Sequence, residues 1–173
     1  MIIRRAVHQD VPGFLRLAGQ VEQWFGPMVG DPGFRAAVER HIDRGAALVA
    51  AGGASPEAPG LLGGLLFGPP AAGSPGPDRH RVNWLVVAEG CRGRGVGRAL
   101  LADAVRRFVS RPGTVEVVAF GSDHPGAEAS GARRFYESLG FTPAEPAPPG
   151  PEGGSRQVYR MRCEPATLLR GSA

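Results

Sequence analysis

RVNWLVVAEGCRGRGVGRALLADAVRRFV, residues 81–109, is the stretch whose reading decides the fold. Its first part, 82–87, is a near-continuous apolar run and predicts a strand covered on both faces. Its last part puts Val96, Leu100, Leu101, Ala104, Val105 and Phe108 at helical spacing, with Arg98, Asp103, Arg106 and Arg107 on the other side. Between them, glycines alternate with side chains in Arg92-Gly93-Arg94-Gly95-Val96-Gly97-Arg98. Glycine permits positive φ there and removes Cβ atoms that would hold a ligand away from the backbone. The N–H groups of a first helical turn have no carbonyl to bond, and the macrodipole adds about half a positive charge. The arginines add whole charges. This is the chemistry of a phosphate cradle at a helix N-terminus.

Outward from this stretch, 114–120 (TVEVVAF) is a second strand, so 81–120 reads as a strand–helix–strand unit with a parallel crossover. Upstream, 2–7 is a short strand. Asp10 and Pro12 open a helix carrying Phe14, Leu15, Leu17, Ala18, Val21, Trp24 and Phe25, which Gly26-Pro27 breaks. Asp31-Pro32 opens another, with Phe34, Val38, His41 and Ile42 along one side; His41 reads as a structural histidine beside the apolar stripe. Runs 46–51 and 61–67 read as a hairpin joined by a turn at 52–60, and Gly63-Gly64 signals a bulge or a close backbone approach. Residues 69–80 read as a loop. Downstream, 121–131 is a second glycine-containing loop, and 132–139 (ARRFYESL) is a short helix with Gly140 as its C′ residue. Phe141-Thr142 starts a strand that fades into a proline-rich loop, and 156–163 alternates as its half-buried partner.

Composition bounds the function. The 173 residues predict one domain, with a core over about 1–163. Twenty basic residues, all arginine, against 16 acidic ones give a net charge of +4. The arginines are scattered apart from the 92–98 cluster, which argues against nucleic acid as a partner. Two cysteines, Cys91 and Cys163, make no disulfide framework, and no Cys/His spacing suggests a metal. Cys91 reads as a small turn residue. No apolar leader or membrane-length run is present in the sequence, so the expectation is a cytoplasmic protein with no membrane partner.

Leu85-Val86-Val87, then Arg92-Gly93-Arg94-Gly95-Val96-Gly97, then Ala132-Arg133-Arg134-Phe135-Tyr136-Glu137-Ser138-Leu139-Gly140-Phe141, together resemble the GNAT superfamily of acyl-CoA-dependent N-acyltransferases. The order of elements agrees across most of the chain. The resemblance implies an α/β fold with a mostly antiparallel sheet of about seven strands, one splayed parallel pair, and about four flanking helices. It implies acetyl-CoA as cosubstrate. The backbone amides from Gly93 to Arg98 would hold its pyrophosphate, and the main chain of Leu85, Val86 and Val87 would pair with the pantetheine arm.

Tyr136 is then implied as general acid. Tyrosine titrates near 10 and a thiol at about 8.5, so the phenol is protonated at neutral pH and can donate to a departing thiolate. An alkyl amine is mostly protonated at that pH, so a proton must also be removed. Many family members place a carboxylate on the strand equivalent to 82–87, whereas Asn83 stands here. Glu22 ranks first among the alternatives, ahead of Asp31, Glu116, Asp123 and His124, with removal through water also open. Ala129 stands where many members carry asparagine, with Ser130 beside it. In the family the loop between the first helices shapes the acceptor site, which points to Trp24 and Phe25, with Asn83, as substrate contacts. The expected acceptor is a small-molecule amine, and the family also admits a homodimer.

Two other readings compete. A dinucleotide dehydrogenase needs glycine three positions after Gly95, where Arg98 stands, and the absence of lysine rules out a P-loop enzyme. A non-catalytic acyl-CoA-binding module, or a protein N-terminal acetyltransferase, would use the same fold.

Overall fold

The computed structural model describes residues 1–52, 60–68, 79–110, 112–124, 126–150 and 153–164. The turn expected at 52–60 and the loop expected at 69–80 fall largely outside them. In chain order the elements are β1 (Ile2–Arg5), α1 (Val11–Gly19), α2 (Glu22–Phe25), α3 (Pro32–Asp43), β2 (Ala47–Ala51), β3 (Leu61–Gly68) and β4 (Arg79–Val87). There follow α4 (Val96–Phe108), β5 (Gly113–Phe120), α5 (Gly126–Ala129), α6 (Ala132–Ser138), β6 (Thr142–Ala147) and β7 (Arg156–Cys163). The chain forms two compact units, Met1–Gly68 with Asn83–Phe108, and Pro69–Val82 with Val109–Ala173. Strand β4 runs through both.

In the first unit the strand order is β1-β2-β3-β4. The hairpin is antiparallel, with Val49 opposite Gly64 and a register shift at Ala50/Ala51. Gly63 and Gly64 mark a close approach on both faces of β3. A Cβ on Gly64 would lie 2.7 Å from the Phe14 ring, and one on Gly63 would lie 3.0 Å from the Val86 carbonyl and 3.1 Å from Val96 and Leu100 side chains. Helix α1 therefore covers one face and α4 the other. Phe14, Phe34 and Trp84 meet at ring distances of 5.8 and 5.5 Å within a core of Val11, Val38, Val49 and Leu66. Asp31 caps α3 by accepting from the Gly33 N–H at 2.8 Å. Asp10 is buried and accepts from both Arg4 guanidinium nitrogens at 2.7 and 2.8 Å and from the Val7 amide. Burial pushes this carboxyl up, and the Arg4 and Val7 bonds outweigh it to leave it below the usual range.

Three expectations change here. The helix read through Phe25 stops at Gly19, because Val21 leaves helical geometry at φ −129° and packs with Leu17 and Val86. Strand β4 is not covered on both faces: Val82 and Val86 are buried, Leu85 and Val87 half-buried and Asn83 exposed. Asp103 is buried, not on the open side of α4, and pairs with Arg106 and Arg107 one turn on.

In the second unit the order is β4-β5-β7-β6. The β4–β5 pair is parallel, from Arg79 opposite Thr114 to Val82 opposite Val117, so the strand starts at Arg79 and not at Val82. The β5–β7 and β6–β7 pairs are antiparallel. Strand β6 extends to Ala147 despite Pro143 and Pro146, because it is an edge strand and its register slips between those prolines. The sheet is thus mixed, mostly antiparallel, with one parallel pair, as the resemblance implied. Among the described residues the α-helical segments number six, since α2 and α5 are four-residue turns that the sequence does not announce.

A chain of alternating charge crosses this unit strand by strand. Arg79 on β4 pairs with Glu116 on β5 at 2.9 Å, Arg160 on β7 pairs with Glu116 at 2.7 Å, and Arg160 also pairs with Glu145 on β6. Glu116 is buried. Such groups stay ionised only when paired, and each charge here has an opposite neighbour on the adjoining strand.

Candidate functional site

Helix α4 begins where the glycine loop ends, and its ladder opens with the Ala99 N–H donating to the Gly95 carbonyl at 2.9 Å. The amides ahead of it, residues 93–98, have no partner in that ladder. Gly93 and Gly95 stand at φ 72° and 77°, which side-chain-bearing residues rarely adopt, and a Cβ on either would meet nothing within 4 Å. There is therefore open space beside the Cα atoms of both glycines. Val96 and Gly97 are buried and anchor the turn, while Arg94 and Arg98 are exposed and make no hydrogen bond or ion pair among the described residues. Positive charge, helix-start amides without a ladder partner and clear space coincide. That is the kind of surface that suits an anion of phosphate type.

Arg92 does something else. Its Nε donates to the Val87 carbonyl at 3.3 Å and its guanidinium lies 5.3 Å from the centre of the Trp24 ring. Trp24 is half-buried and packs on the cluster of Leu17, Val21 and Val86, and Phe25 is more exposed. The Gln20 side chain accepts from the Glu89 N–H at 2.9 Å, tying the end of α1 to the turn before the cradle.

Glu22 holds the segment after α2. Its Oε1 accepts from the Met28 and Val29 amides, both at 2.7 Å, and the Val29 and Met28 bonds hold its carboxyl below the usual carboxylate range. A carboxylate so engaged is a weaker proton acceptor. Asp31 is occupied as the α3 cap and Glu116 in the charge chain. Asp123 accepts from the Ser155 hydroxyl, which depresses its carboxyl first of all. His124 stacks on Phe120 at 3.9 Å and its Nδ1 accepts from the Gly126 amide at 2.9 Å. Each carboxylate that the sequence offered as a base has a structural partner.

In the second unit, α6 fixes Tyr136 through its own termination. The Phe141 N–H donates to the Tyr136 carbonyl at 3.1 Å and the Gly140 N–H to the Glu137 carbonyl at 3.0 Å, with Gly140 at φ 92°. These are the two bonds of a Schellman motif, and its usual apolar contact is the Tyr136–Phe141 ring pair at 5.3 Å. Phe135 adds an edge contact at 5.0 Å. Arg133 Nε donates to the Tyr159 hydroxyl at 3.0 Å and ties α6 to β7. Tyr136 is buried, and burial pushes its phenol well above the ordinary tyrosine range. Its hydroxyl has no hydrogen-bond partner among the described residues. A buried hydroxyl without one is costly by about 1–3 kcal/mol, which marks it as a group kept for something else. Beside α6, Ser130 Oγ lies 3.4 Å from the Ala132 N–H, so that hydroxyl caps its own helix.

Sequence reasoning missed the partner of Asn83. The His41 Nε2 lies 2.9 Å from the Asn83 Nδ2, and the His41 Nδ1 lies 2.7 Å from the Ala37 carbonyl. A helix-to-strand contact at a separation of 42 residues leaves no local signal.

The fold and part of the sequence have counterparts among known proteins. Residues 60–143, which contain both the cradle and Tyr136, match the family model of the acetyltransferase (GNAT) domain. The fold is similar to that of an acetyltransferase of the GNAT family from Desulfovibrio desulfuricans, with TM-score 0.71 and 24% identity over 93% of this chain and 98% of that one. It is similar to ribosomal-protein-alanine N-acetyltransferase from Brucella melitensis, with TM-score 0.69 and 18% identity over 94% and 100%. It is also similar to an acetyltransferase from Salmonella typhimurium solved with its cofactor acetyl-CoA, with TM-score 0.66 and 18% identity over 99% and 98%. Comparison with curated protein sequences gave no match. Among the described residues no cluster of three metal-ligating side chains occurs, and no helix is long and apolar enough to cross a membrane.

Proposed function

We propose, from the match of residues 60–143 to the GNAT acetyltransferase domain and the shared fold, that the chain moves an acetyl group from acetyl-CoA to the primary amine of a small molecule. The observation that carries the proposal is the glycine turn at the start of α4, where the helix-start amides have no ladder partner and Arg94 and Arg98 are unpaired among the described residues. A pyrophosphate fits that set: two linked anionic groups meet a helix N-terminus and two guanidinium groups. The main chain of Leu85, Val86 and Val87 would hold the pantetheine arm as an added strand holds to a sheet edge. Val87 keeps a second carbonyl lone pair beside the one that faces Arg92.

The bound coenzyme supplies the acetyl thioester. Tyr136 acts as general acid, donating from its hydroxyl to the sulfur as the carbon–sulfur bond breaks. Burial makes the phenol a weaker acid than in water, and the same desolvation makes the departing thiolate a stronger base, so donation is favoured as charge builds on sulfur. The amine's proton leaves to solvent water, because Glu22, Asp31, Glu116 and Asp123 are all engaged in structural bonds. We take the whole chain to act as one acetyltransferase domain in the cytoplasm.

The test is release of free thiol from acetyl-CoA against a panel of polyamines, aminoglycosides, amino acids and alanine-initiated peptides. Turnover of at least one small amine above hydrolysis supports the reading. Release at the hydrolysis rate with every amine overturns it, and turnover of the peptides alone moves the acceptor to a protein N-terminus.

A further inference from the structure

We propose that His41 is a positioning residue that locks the Asn83 amide so that its Oδ1 accepts a hydrogen bond from the attacking amine. The inference rests on the acetyltransferase reading above.

A carbonyl oxygen only accepts, so the 2.7 Å contact between the His41 Nδ1 and the Ala37 carbonyl requires the proton on Nδ1. In a neutral imidazole the other nitrogen then offers a lone pair. The Asn83 Nδ2, 2.9 Å from Nε2, donates into it. Turning the amide over would set Oδ1 against that lone pair, acceptor on acceptor, so the orientation of Asn83 is decided by a helix carbonyl on α3. Gly68 on β3 keeps the room for this: a Cβ there would lie 3.2 Å from the Asn83 Nδ2 and 3.8 Å from the His41 Nε2.

The result is a fixed acceptor on an exposed residue. Asn83 Oδ1 has no partner among the described residues, although the opposite end of the same amide is pinned. Side chains alternate along a strand, so Asn83 shares a face of β4 with Leu85 and Val87 and stands about 7 Å from Leu85 along the strand. That places the acceptor oxygen on the strand proposed to carry the pantetheine arm. An amide oxygen holding one amine N–H aims the nitrogen lone pair without the added attraction that a carboxylate has for an ammonium.

The experiment combines ¹⁵N chemical shifts of His41 with steady-state kinetics of His41→Ala and His41→Gln, using acetyl-CoA and the fastest of spermidine, tyramine and an alanyl peptide. The expected tautomer is Nδ1–H. His41→Ala should raise the KM for the amine about tenfold with the KM for acetyl-CoA unchanged. His41→Gln should recover most of that loss, because the glutamine Oε1 reaches the Nε2 position as an acceptor. An Nε2–H tautomer, an unchanged amine KM in His41→Ala, or His41→Gln no better than alanine each overturn the inference while the acetyltransferase reading stands. Absence of turnover with every amine overturns both.

Discussion

The arginines of the glycine loop and those of the strand ladder carry the same charge to opposite ends. Arg79 and Arg160 are consumed: each pairs with Glu116, and Arg160 reaches Glu145 as well. Arg94 and Arg98 have no such partner among the described residues and stand beside helix-start amides that lie ahead of the α4 ladder. The difference teaches how to read charge in a chain whose basic residues are all arginine. A guanidinium with a carboxylate across the strand holds the fold, and one without such a partner is free to meet a ligand. Tyr136 is likewise a buried donor with no acceptor among the described residues.

The largest effect tests that last assignment. Tyr136→Phe should lower kcat by about one to three orders of magnitude, as loss of a general acid does, with acetyl-CoA affinity retained. An unchanged kcat would remove the phenol from the chemistry. The same substitution has a signature in stability. The folded protein holds the Tyr136 proton above the ordinary value, while the unfolded chain releases it near pH 10. The unfolded state then binds fewer protons, so wild-type stability falls as pH rises above about 10, by up to about 1.4 kcal/mol per pH unit for this group. The phenylalanine variant should lack that component in alkaline denaturant titrations.

Next in size is the ladder. Glu116→Gln leaves Arg79 and Arg160 facing a neutral amide in a mostly buried setting and should cost about 2–3 kcal/mol, read as a lower denaturant midpoint at constant m-value. Coenzyme affinity should be unaffected. A loss of affinity equal to that of a loop variant would erase the distinction between the two sets of arginines.

The loop comes third, and it can be divided. Arg98→Ala should weaken coenzyme A binding about tenfold by calorimetry, with a shallower salt dependence. Arg92→Ala should weaken it less, since Arg92 is spent on Trp24 and the Val87 carbonyl. Equal losses would return Arg92 to the cradle. The smallest effect is expected at Glu22: Glu22→Gln should lower Tm slightly and leave kcat within about twofold, because this carboxylate holds the Met28–Val29 turn. A larger fall in kcat, growing with decreasing pH, would restore Glu22 as the base.

Much of this was legible in the residues. The 92–98 loop, the α4 face and the Tyr136–Phe141 terminus are local devices. Glycine at 93, 95 and 140 is required by backbone conformation at those very positions, and apolar spacing within one helix names its own buried side. Gly63-Gly64 was legible as a close approach, though not as one pressed by Phe14 on one face and by Val96 and Leu100 on the other. The proline-bearing β6 and the break at Val21 were not legible, because each depends on which neighbour the segment meets.

The fates of the polar residues divide the same way. That the chain would present a glycine turn at a helix start and a helix-terminal tyrosine was determined by sequence, since the hydrogen bonds and dihedral angles that make them span only a few residues. Whether a given carboxylate or amide is a base, a cap or a positioned acceptor was decided by tertiary structure. Glu22 has its partners six and seven residues away, Glu116 reaches Arg160 across 44, and Asn83 meets His41 across 42. A side chain's proton affinity and orientation are properties of its partners, and folding alone brings those partners together.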